Sequence, residues 1–141
     1  MATDPLLFLE IANRYKSSAN DYERRTAIGR AYYAVYNFIS DKLQKEGVQA
    51  FRKDGGDHDR MVYCLTNCKN SQAGIVGNLL KDLKAQRKNA DYRMDLLLNK
   101  RYSEFAHARA VKVVEEFKKM SEIPKLVAVI NTLPDPPHFR R

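Results

Sequence analysis

Residues 21–47 read DYERRTAIGRAYYAVYNFISDKLQKEG, and this stretch decides the fold. Five residues in it recur at alternating spacings of three and four, the repeat of one helical face; they are Ile28, Tyr32, Val35, Ile39 and Leu43. Asn20 with Glu23 three residues later predicts a capping box at the start, and Gly47 predicts the end. The stretch therefore predicts one long amphipathic helix with a buried stripe.

The chain on either side of this helix repeats the helical pattern and has no alternating strand pattern of useful length. Asp4 before Pro5 predicts the start of a first helix that runs to about Lys16. Three more helices are predicted over about residues 57–69, 71–91 and 101–120. The residues expected to face inward include Ile75, Leu79, Leu80 and Leu83 in the fourth helix, and Phe105, Ala106, Ala110, Val113, Val114 and Phe117 in the fifth.

The predicted fold class is all-α, an antiparallel up-down bundle of four main helices with the short third helix as a fifth element. A chain of 141 residues with 44% apolar content is long enough for one compact domain, which we expect over residues 1–121. Residues 122–141 combine an apolar patch with four prolines and are expected to be partly docked or extended. The conformation of residues 93–100 stays open.

Composition narrows the classes of partner. The 25 lysines and arginines exceed the 17 acidic residues by eight, which favours polyanionic partners, although a merely soluble basic surface is the alternative. No apolar run approaches a membrane span, and the N-terminus lacks the features of a secretory signal, so a cytoplasmic protein without a membrane partner is expected.

Two cysteines, Cys64 and Cys68, stand four residues apart, a spacing that places both thiols on one helical face. Free thiols are expected rather than a disulfide framework. A zinc site would need two more ligands and only His58 lies nearby, so no metal and no cofactor is predicted.

Two segments carry a family resemblance: RTAIGRAYYAVYNFISDKL at residues 25–43 and LKAQRKNADY at residues 83–92. With their R-A-Y-Y-A helix and R-x-x-A-D-Y motif, they resemble small stand-alone members of the HEPN family (higher eukaryotes and prokaryotes nucleotide-binding). The resemblance covers roughly residues 5–120. It implies a helical bundle that forms a homodimer, with a groove at the two-fold axis that binds RNA or a nucleotide. Active members of the family are metal-independent endoribonucleases, often toxins, host-defence effectors or partners of small nucleotidyltransferases.

The family's motif is an arginine, four to six residues, then a histidine, and it maps onto Arg87 and the position of Tyr92. The Arg87 guanidinium suits phosphate geometry. Tyrosine, with a pKa of about 10, is a poor base at neutral pH, so Tyr92 suits hydrogen bonding or stacking better than turnover. Asp91 lies four residues after Arg87 and is predicted either to orient the guanidinium or to cap the next turn, and it is counted among the candidate RNA- or nucleotide-binding residues.

Other candidate binding residues share helical faces. Arg30, Tyr33 and Asn37 form a polar, aromatic and basic face of the second helix, and Lys81, Lys84 and Lys88 form a row on the fourth. Each set is predicted to contact RNA or a nucleotide, and an ordinary solvated face is the alternative reading of each.

Two further arginine–histidine pairs fit the family's spacing, Arg52 with His58 and Arg101 with His107. The first straddles a predicted loop and the second lies inside the fifth helix, so neither pair is taken as the motif. His58 is kept as a candidate for the missing histidine, because acid–base groups are brought together by the fold and not by sequence order.

These observations predict a dimeric HEPN-like protein that binds RNA or a nucleotide in a toxin–antitoxin or defence setting, with tyrosine in the histidine position. A small nucleotidyltransferase antitoxin is an expected partner. Two alternatives stay open: an active metal-independent endoribonuclease, and a protein-interaction module without a nucleic-acid role.

Overall fold

The computed structural model describes residues 3–48 and 57–133, and within these ranges the regular structure is entirely helical. The helices are α1 (Leu7–Tyr15), α2 (Asp21–Lys45), α3 (Asp57–Asn67), α4 (Ser71–Tyr92), α5 (Lys100–Lys118) and α6 (Ile123–Thr132). The predicted all-α class is confirmed over this part of the chain. None of these helices is long and apolar enough to cross a membrane.

Helix α2 lies at the centre of the fold, packed against α1, α4 and α5. Its predicted stripe is confirmed, because all five residues have no exposed surface: Ile28, Tyr32, Val35, Ile39 and Leu43. Complete burial of an aliphatic side chain of this size contributes roughly 1.5–3 kcal/mol. The stripe therefore fixes the rotation of α2 about its own axis and determines which of its faces are left outside the core.

The two ends of α2 differ from each other in how well they were predicted. The capping box is wrong: the Glu23 carboxylate accepts from the side chains of Ser18, at 2.7 Å, and Asn20, at 2.9 Å, rather than from the Asn20 backbone. Side-chain donors close to the acid replace the expected backbone donor. At the other end Gly47 has φ of +102°, and the Val48 amide donates to the Leu43 carbonyl at 2.9 Å, a glycine stop as predicted.

Two large apolar residues expected to face inward are exposed. Ile75 in α4 is 47% exposed and Phe105 in α5 is 58% exposed. In α4 the predicted Leu80 and Leu83 are fully buried, and the buried stripe continues through Val76 and Ala73 instead of Ile75. In α5 the predicted Ala106 and Ala110 are fully buried.

The α4 boundaries matter for the site. Its N-cap is Asn70, whose side chain accepts from the Ala73 amide at 3.0 Å. The helix continues without a break to Tyr92, so Arg87 and Asp91 both lie on regular helix.

The apolar part of the C-terminal tail forms α6, which begins with Pro124 in its first turn, where a missing amide donor costs little. Leu126, Val127 and Ile130 are buried in the same core as the α2 stripe. The remaining proline-rich stretch, 134–141, lies outside the described residues, as does the loop at 49–56. The domain boundary at residue 121 stays a prediction.

The connection between α4 and α5 is held by one side chain of α2. Arg25 donates from Nη1 and Nη2 to the backbone carbonyls of Asn89, Ala90, Arg93 and Leu96, at 2.6–3.3 Å. Its Nε donates to Asp21 at 2.6 Å. The last carbonyls of a helix lack partners within the helix, and here Arg25 supplies donors for two of them and for the turn that follows.

Candidate nucleic-acid interface

Five side chains from three helices meet around Arg87, and we call them the His58–Arg87 cluster: Tyr32, Tyr33 and Tyr36 of α2, His58 of α3 and Arg87 of α4. Arg87 is only 7% exposed although its guanidinium stays charged. The guanidinium carbon lies 5.2 Å from the Tyr32 ring centroid and 5.5 Å from that of Tyr33. Cation–π contact with two rings partly replaces the water that the charge has lost.

His58 is fixed in the cluster from two directions. The Tyr36 ring stacks on it with centroids 3.8 Å apart and planes within 10° of parallel. The Tyr32 hydroxyl lies 2.5 Å from His58 Nδ1. Burial raises the pKa of Tyr32, against the opposing effect of Arg87, so the hydroxyl keeps its proton. The direction of its hydrogen bond with Nδ1 is set by the tautomer of the imidazole.

The charge state of His58 follows from its neighbours. Burial, with the nearby charges of Arg87 and Lys84, lowers its pKa from 6.5 to about 4. The ring is therefore neutral at pH 7.

Asp91 orients Arg87 along the last turn of α4. Arg87 Nη1 donates to Asp91 Oδ2 at 3.2 Å, the first of the two roles predicted for this acid. Burial lowers the pKa of Arg87, but the hydrogen bond to Asp91 and the Tyr33 and Tyr32 rings outweigh it, and the net shift is upward. Arg87 Nε is buried and has no hydrogen-bond partner among the described residues. A buried donor without a partner is costly, and a catalytic role or a bound ion is among the explanations for one.

A groove between α3 and α4, which we call the lysine groove, opens on one side of Arg87. It has a volume of about 480 Å³ and is lined by Asp59, Val62, Tyr63, Thr66, Asn78, Lys81, Lys84, Ala85 and Lys88. Lys81 and Lys88 are exposed, whereas Lys84 is buried and paired with Asp59. Burial, with Lys88 and Arg87 nearby, lowers the pKa of Lys84 to about 8. The predicted row is thus two exposed lysines around a third that is buried and paired with Asp59.

A second groove, the tyrosine groove, opens between α2 and the end of α4. It has a volume of about 450 Å³ and is lined by Tyr22, Arg25, Thr26, Gly29, Arg30, Tyr33, Ala90, Asp91 and Met94. Arg30 is exposed, with its guanidinium carbon 5.8 Å from the Phe8 ring centroid. Asn37, the third residue of the predicted α2 face, is exposed but does not line the groove.

The structure does not bring Tyr92 to Arg87. Tyr92 is 72% exposed. Five positions along a helix correspond to a rotation of about 140° beyond one turn, so the two side chains leave α4 on different sides. A functional role for Tyr92 stays a prediction.

The two other arginine–histidine pairs have different outcomes. Arg52 lies outside the described residues, while its partner His58 is in the cluster. Arg101 lies over the Phe105 ring at 5.7 Å, and His107 is held near Leu9 and Lys16, where burial lowers its pKa. Arg101 and His107 therefore have different surroundings and form no common site.

Some members of the site were not predicted as functional residues, and Tyr32 was expected only in the buried stripe. Tyr36 stacks on His58, and Asp59 holds Lys84. The spacing of Tyr36, four residues after Tyr32, was a usable signal, because such residues lie one above the other on a helix. No sequence pattern around Asp59 indicated its role, because Asp59 lies on α3 and pairs with Lys84 on α4.

Comparison of the chain with protein-family models, with curated proteins and with solved structures gives no match in any of the three.

Proposed function

We propose that this protein binds RNA or a nucleotide along the face formed by the lysine groove, Arg87 and the tyrosine groove. The observation that carries the proposal is the buried, charged Arg87 with an unpartnered Nε, between two grooves that lie on either side of its turn of α4. A buried guanidinium that is oriented by Asp91 is prepared to bind a phosphate, because its fork matches phosphate oxygens.

The chemistry of the two grooves supports a polyanion with stacking groups. Lys81 and Lys88 offer exposed charge to a phosphate backbone, and the net charge of +8 adds long-range attraction. Tyr22 and Tyr33 offer exposed rings on which a base can stack. Phosphate contacts and stacking together favour nucleic acid over a simple anion.

From the resemblance to the HEPN family we also propose that the chain forms a four-helix up-down bundle and a homodimer in the cytoplasm. Its proposed role is in a toxin–antitoxin or defence system, beside a small nucleotidyltransferase. Light scattering coupled to size exclusion tests the dimer. A species of 16.3 kDa at tens of micromolar would remove the shared groove from the proposal.

RNA binding is tested by titrating a fluorescent single-stranded RNA at several salt concentrations. Lys81→Glu with Lys88→Glu should weaken binding alike for unrelated RNA sequences and reduce the salt dependence, because each lost phosphate contact no longer releases a counterion. The matched control is Lys118→Glu with Lys125→Glu, the same charge change at exposed lysines outside both grooves. Equal losses in the two double variants would mean that only net charge matters.

A metal-independent endoribonuclease is the second candidate, and the proximity of His58 to Arg87 favours it. Such cleavage needs a base for the attacking 2′-hydroxyl, an acid for the leaving 5′-oxygen, and a cation for the phosphorane. Arg87 is suited to charge stabilisation, whereas His58, with a pKa of about 4, is neutral at pH 7 and a weak base there. The 2′-oxygen would form a bond to phosphorus as the bond to the 5′-oxygen breaks, and the 5′-oxygen would take up a proton.

Digestion of single-stranded RNA in chelator distinguishes the two candidates. If the protein is a nuclease, wild type cleaves, and His58→Gln and Arg87→Met each abolish cleavage while RNA binding by His58→Gln persists. If it only binds, no variant differs from wild type in fragment yield. Tight binding of a protein partner with no RNA affinity would support an interaction module instead.

A further inference from the structure

Gly29, in the middle of α2, has no structural need to be glycine. A Cβ built there would meet nothing closer than 3.8 Å, an ordinary van der Waals distance, and its neighbour at that distance is Asp91 Oδ1. By contrast a Cβ at Gly77 of α4 would lie 2.8 Å from the Thr66 side chain, so that glycine is required by packing. Glycine inside a helix is less stable than alanine, so helix stability does not explain Gly29, and the space that it leaves open lies beside Asp91.

Only one of the two oxygens of the Asp91 carboxylate, which faces this space, has a hydrogen-bond donor among the residues that the structure describes. Arg87 donates to Asp91 Oδ2, whereas Oδ1 accepts no hydrogen bond from the residues that the structure describes. A carboxylate has about four lone-pair positions, so most of the acceptor capacity of Asp91 is available to a ligand in the tyrosine groove.

An acceptor-only group is unsuited to the phosphate of a polyanion, which it would repel. Its ligand must instead present hydrogen-bond donors. The cation for a phosphate in this groove is Arg30, because Arg25 donates to the loop carbonyls and to Asp21. The exposed Tyr22 and Tyr33 rings provide the stacking surface. A nucleotide has each of these parts: a phosphate, a flat base, and donors on the base edge.

Resting on the RNA- or nucleotide-binding function proposed above, we propose that the tyrosine groove is a guanine subsite, in which Asp91 reads the base and Gly29 keeps the approach open. Guanine presents two adjacent donors, N1–H and the 2-amino group, to one carboxylate. Adenine offers a single donor on this edge beside an acceptor, cytosine likewise, and uracil one donor between two acceptors. The pair of donors makes guanine the base that Asp91 binds best.

The test uses uridine nonamers that carry one central guanosine, inosine, adenosine or cytidine, with affinities measured by fluorescence anisotropy. The guanosine RNA should bind about tenfold tighter than the adenosine RNA, the discrimination expected of a bidentate base contact. Inosine lacks the 2-amino group and should fall between them. Equal affinities for all four RNAs would overturn the guanine subsite and leave RNA binding intact, whereas no binding of any RNA would overturn both proposals.

Asp91→Asn separates base reading from the orientation of Arg87. The amide oxygen can still accept from Arg87, but the amino group meets guanine's donors with another donor and can donate to adenine, so the guanosine RNA should lose its advantage over the adenosine RNA. If Asp91 only orients Arg87, Asp91→Asn weakens all four RNAs by the same factor, and the subsite is overturned. Circular dichroism and thermal unfolding verify that the variant is folded.

Gly29→Ala tests whether the space beside Asp91 must stay open for guanine to bind. The variant should fold at least as well as wild type. Its guanosine preference should fall several-fold, since the new methyl group would lie beside Asp91 Oδ1. The matched control is Gly74→Ala in α4, where a Cβ would meet nothing within 4 Å, and which should keep the full preference. An unchanged preference in Gly29→Ala, or a change in its oligomeric mass instead, would overturn the role given to Gly29.

Discussion

The two halves of α4 face the same interior but bury opposite kinds of side chain. In the first half the inward positions are apolar, as at Val76, Leu80 and Leu83. In the second half the same stripe continues through Lys84 and Arg87, both less than a tenth exposed. Burying charge in this way opposes stability unless partners compensate, and Asp59, Asp91 and the α2 tyrosines do so. The first half of α4 therefore stabilises the fold, and the second half uses the fold to hold charges in place.

The largest expected effect on stability lies in the first half of α4. Leu80→Ala should lower the free energy of unfolding by about 2–5 kcal/mol, because it leaves a cavity at a fully buried site. Urea unfolding followed by circular dichroism measures this. RNA affinity of the folded fraction should stay within about twofold of wild type; a larger loss would show that the two halves do not work separately.

The corresponding change in the second half should affect binding instead. Arg87→Met keeps a long side chain against the tyrosine rings and removes the charge, so the free energy of unfolding should change by less than about 1 kcal/mol. RNA affinity should fall about tenfold. The slope of log K against log salt should become shallower by about 0.7, which is the contribution of one phosphate contact on a single strand. Anisotropy titrations at several salt concentrations measure both quantities. Large destabilisation with unchanged affinity would make Arg87 a structural residue.

The His58 end of the cluster should give the protein an acid-sensitive stability. The pKa of His58 is about 4 in the fold and 6.5 ordinarily, so the unfolded chain takes up the proton first as pH falls. Stability is fully present above about pH 6.5 and should decline towards pH 4, by roughly 1 kcal/mol after allowance for solvent screening of the half-buried ring. Urea midpoints across this range measure the decline. His58→Gln should flatten it, and an equally steep profile in the variant would assign the effect to other groups.

The smallest effect is expected beyond the cluster, at the end of α4. Tyr92→Phe removes one hydroxyl from a side chain that is largely exposed, so the free energy of unfolding should change by less than about 0.5 kcal/mol. RNA affinity should change by less than about twofold. A tenfold loss of affinity would show that Tyr92 contacts the ligand from the other side of the helix.

The helix pattern of the sequence predicted the parts of the fold that depend on neighbours in the chain. The α2 stripe and the glycine stop at Gly47 followed from local spacing and from backbone conformation, and both are confirmed. Ile75 and Phe105 were wrong because two adjacent stripes satisfy the same spacing, and only the positions of the other helices decide between them. Helix α6 was left open because its prolines obscured a ten-residue helix that the core stabilises.

The candidate site was predictable to the extent that its residues lie on one helix. Arg87 and Asp91 are four positions apart on α4, and their pairing follows from helical geometry. His58 reaches the cluster from α3, and its stacking on Tyr36 has no local signal in the sequence. Tyr92 was selected by motif spacing before it was known that α4 continues to residue 92, and on a continuous helix that spacing places Tyr92 about 140° round from Arg87.

The Arg25 contacts have a consequence for how the molecule opens. A helix end and the loop after it ordinarily fray on their own, and their amide protons exchange early. Here four carbonyls between Asn89 and Leu96 are tied to a guanidinium of α2, so local opening of that segment must break bonds to the central helix. The segment that carries Asp91 thus belongs to the same cooperative unit as the core, and hydrogen exchange should report its opening together with that of α2 rather than as an independent loop.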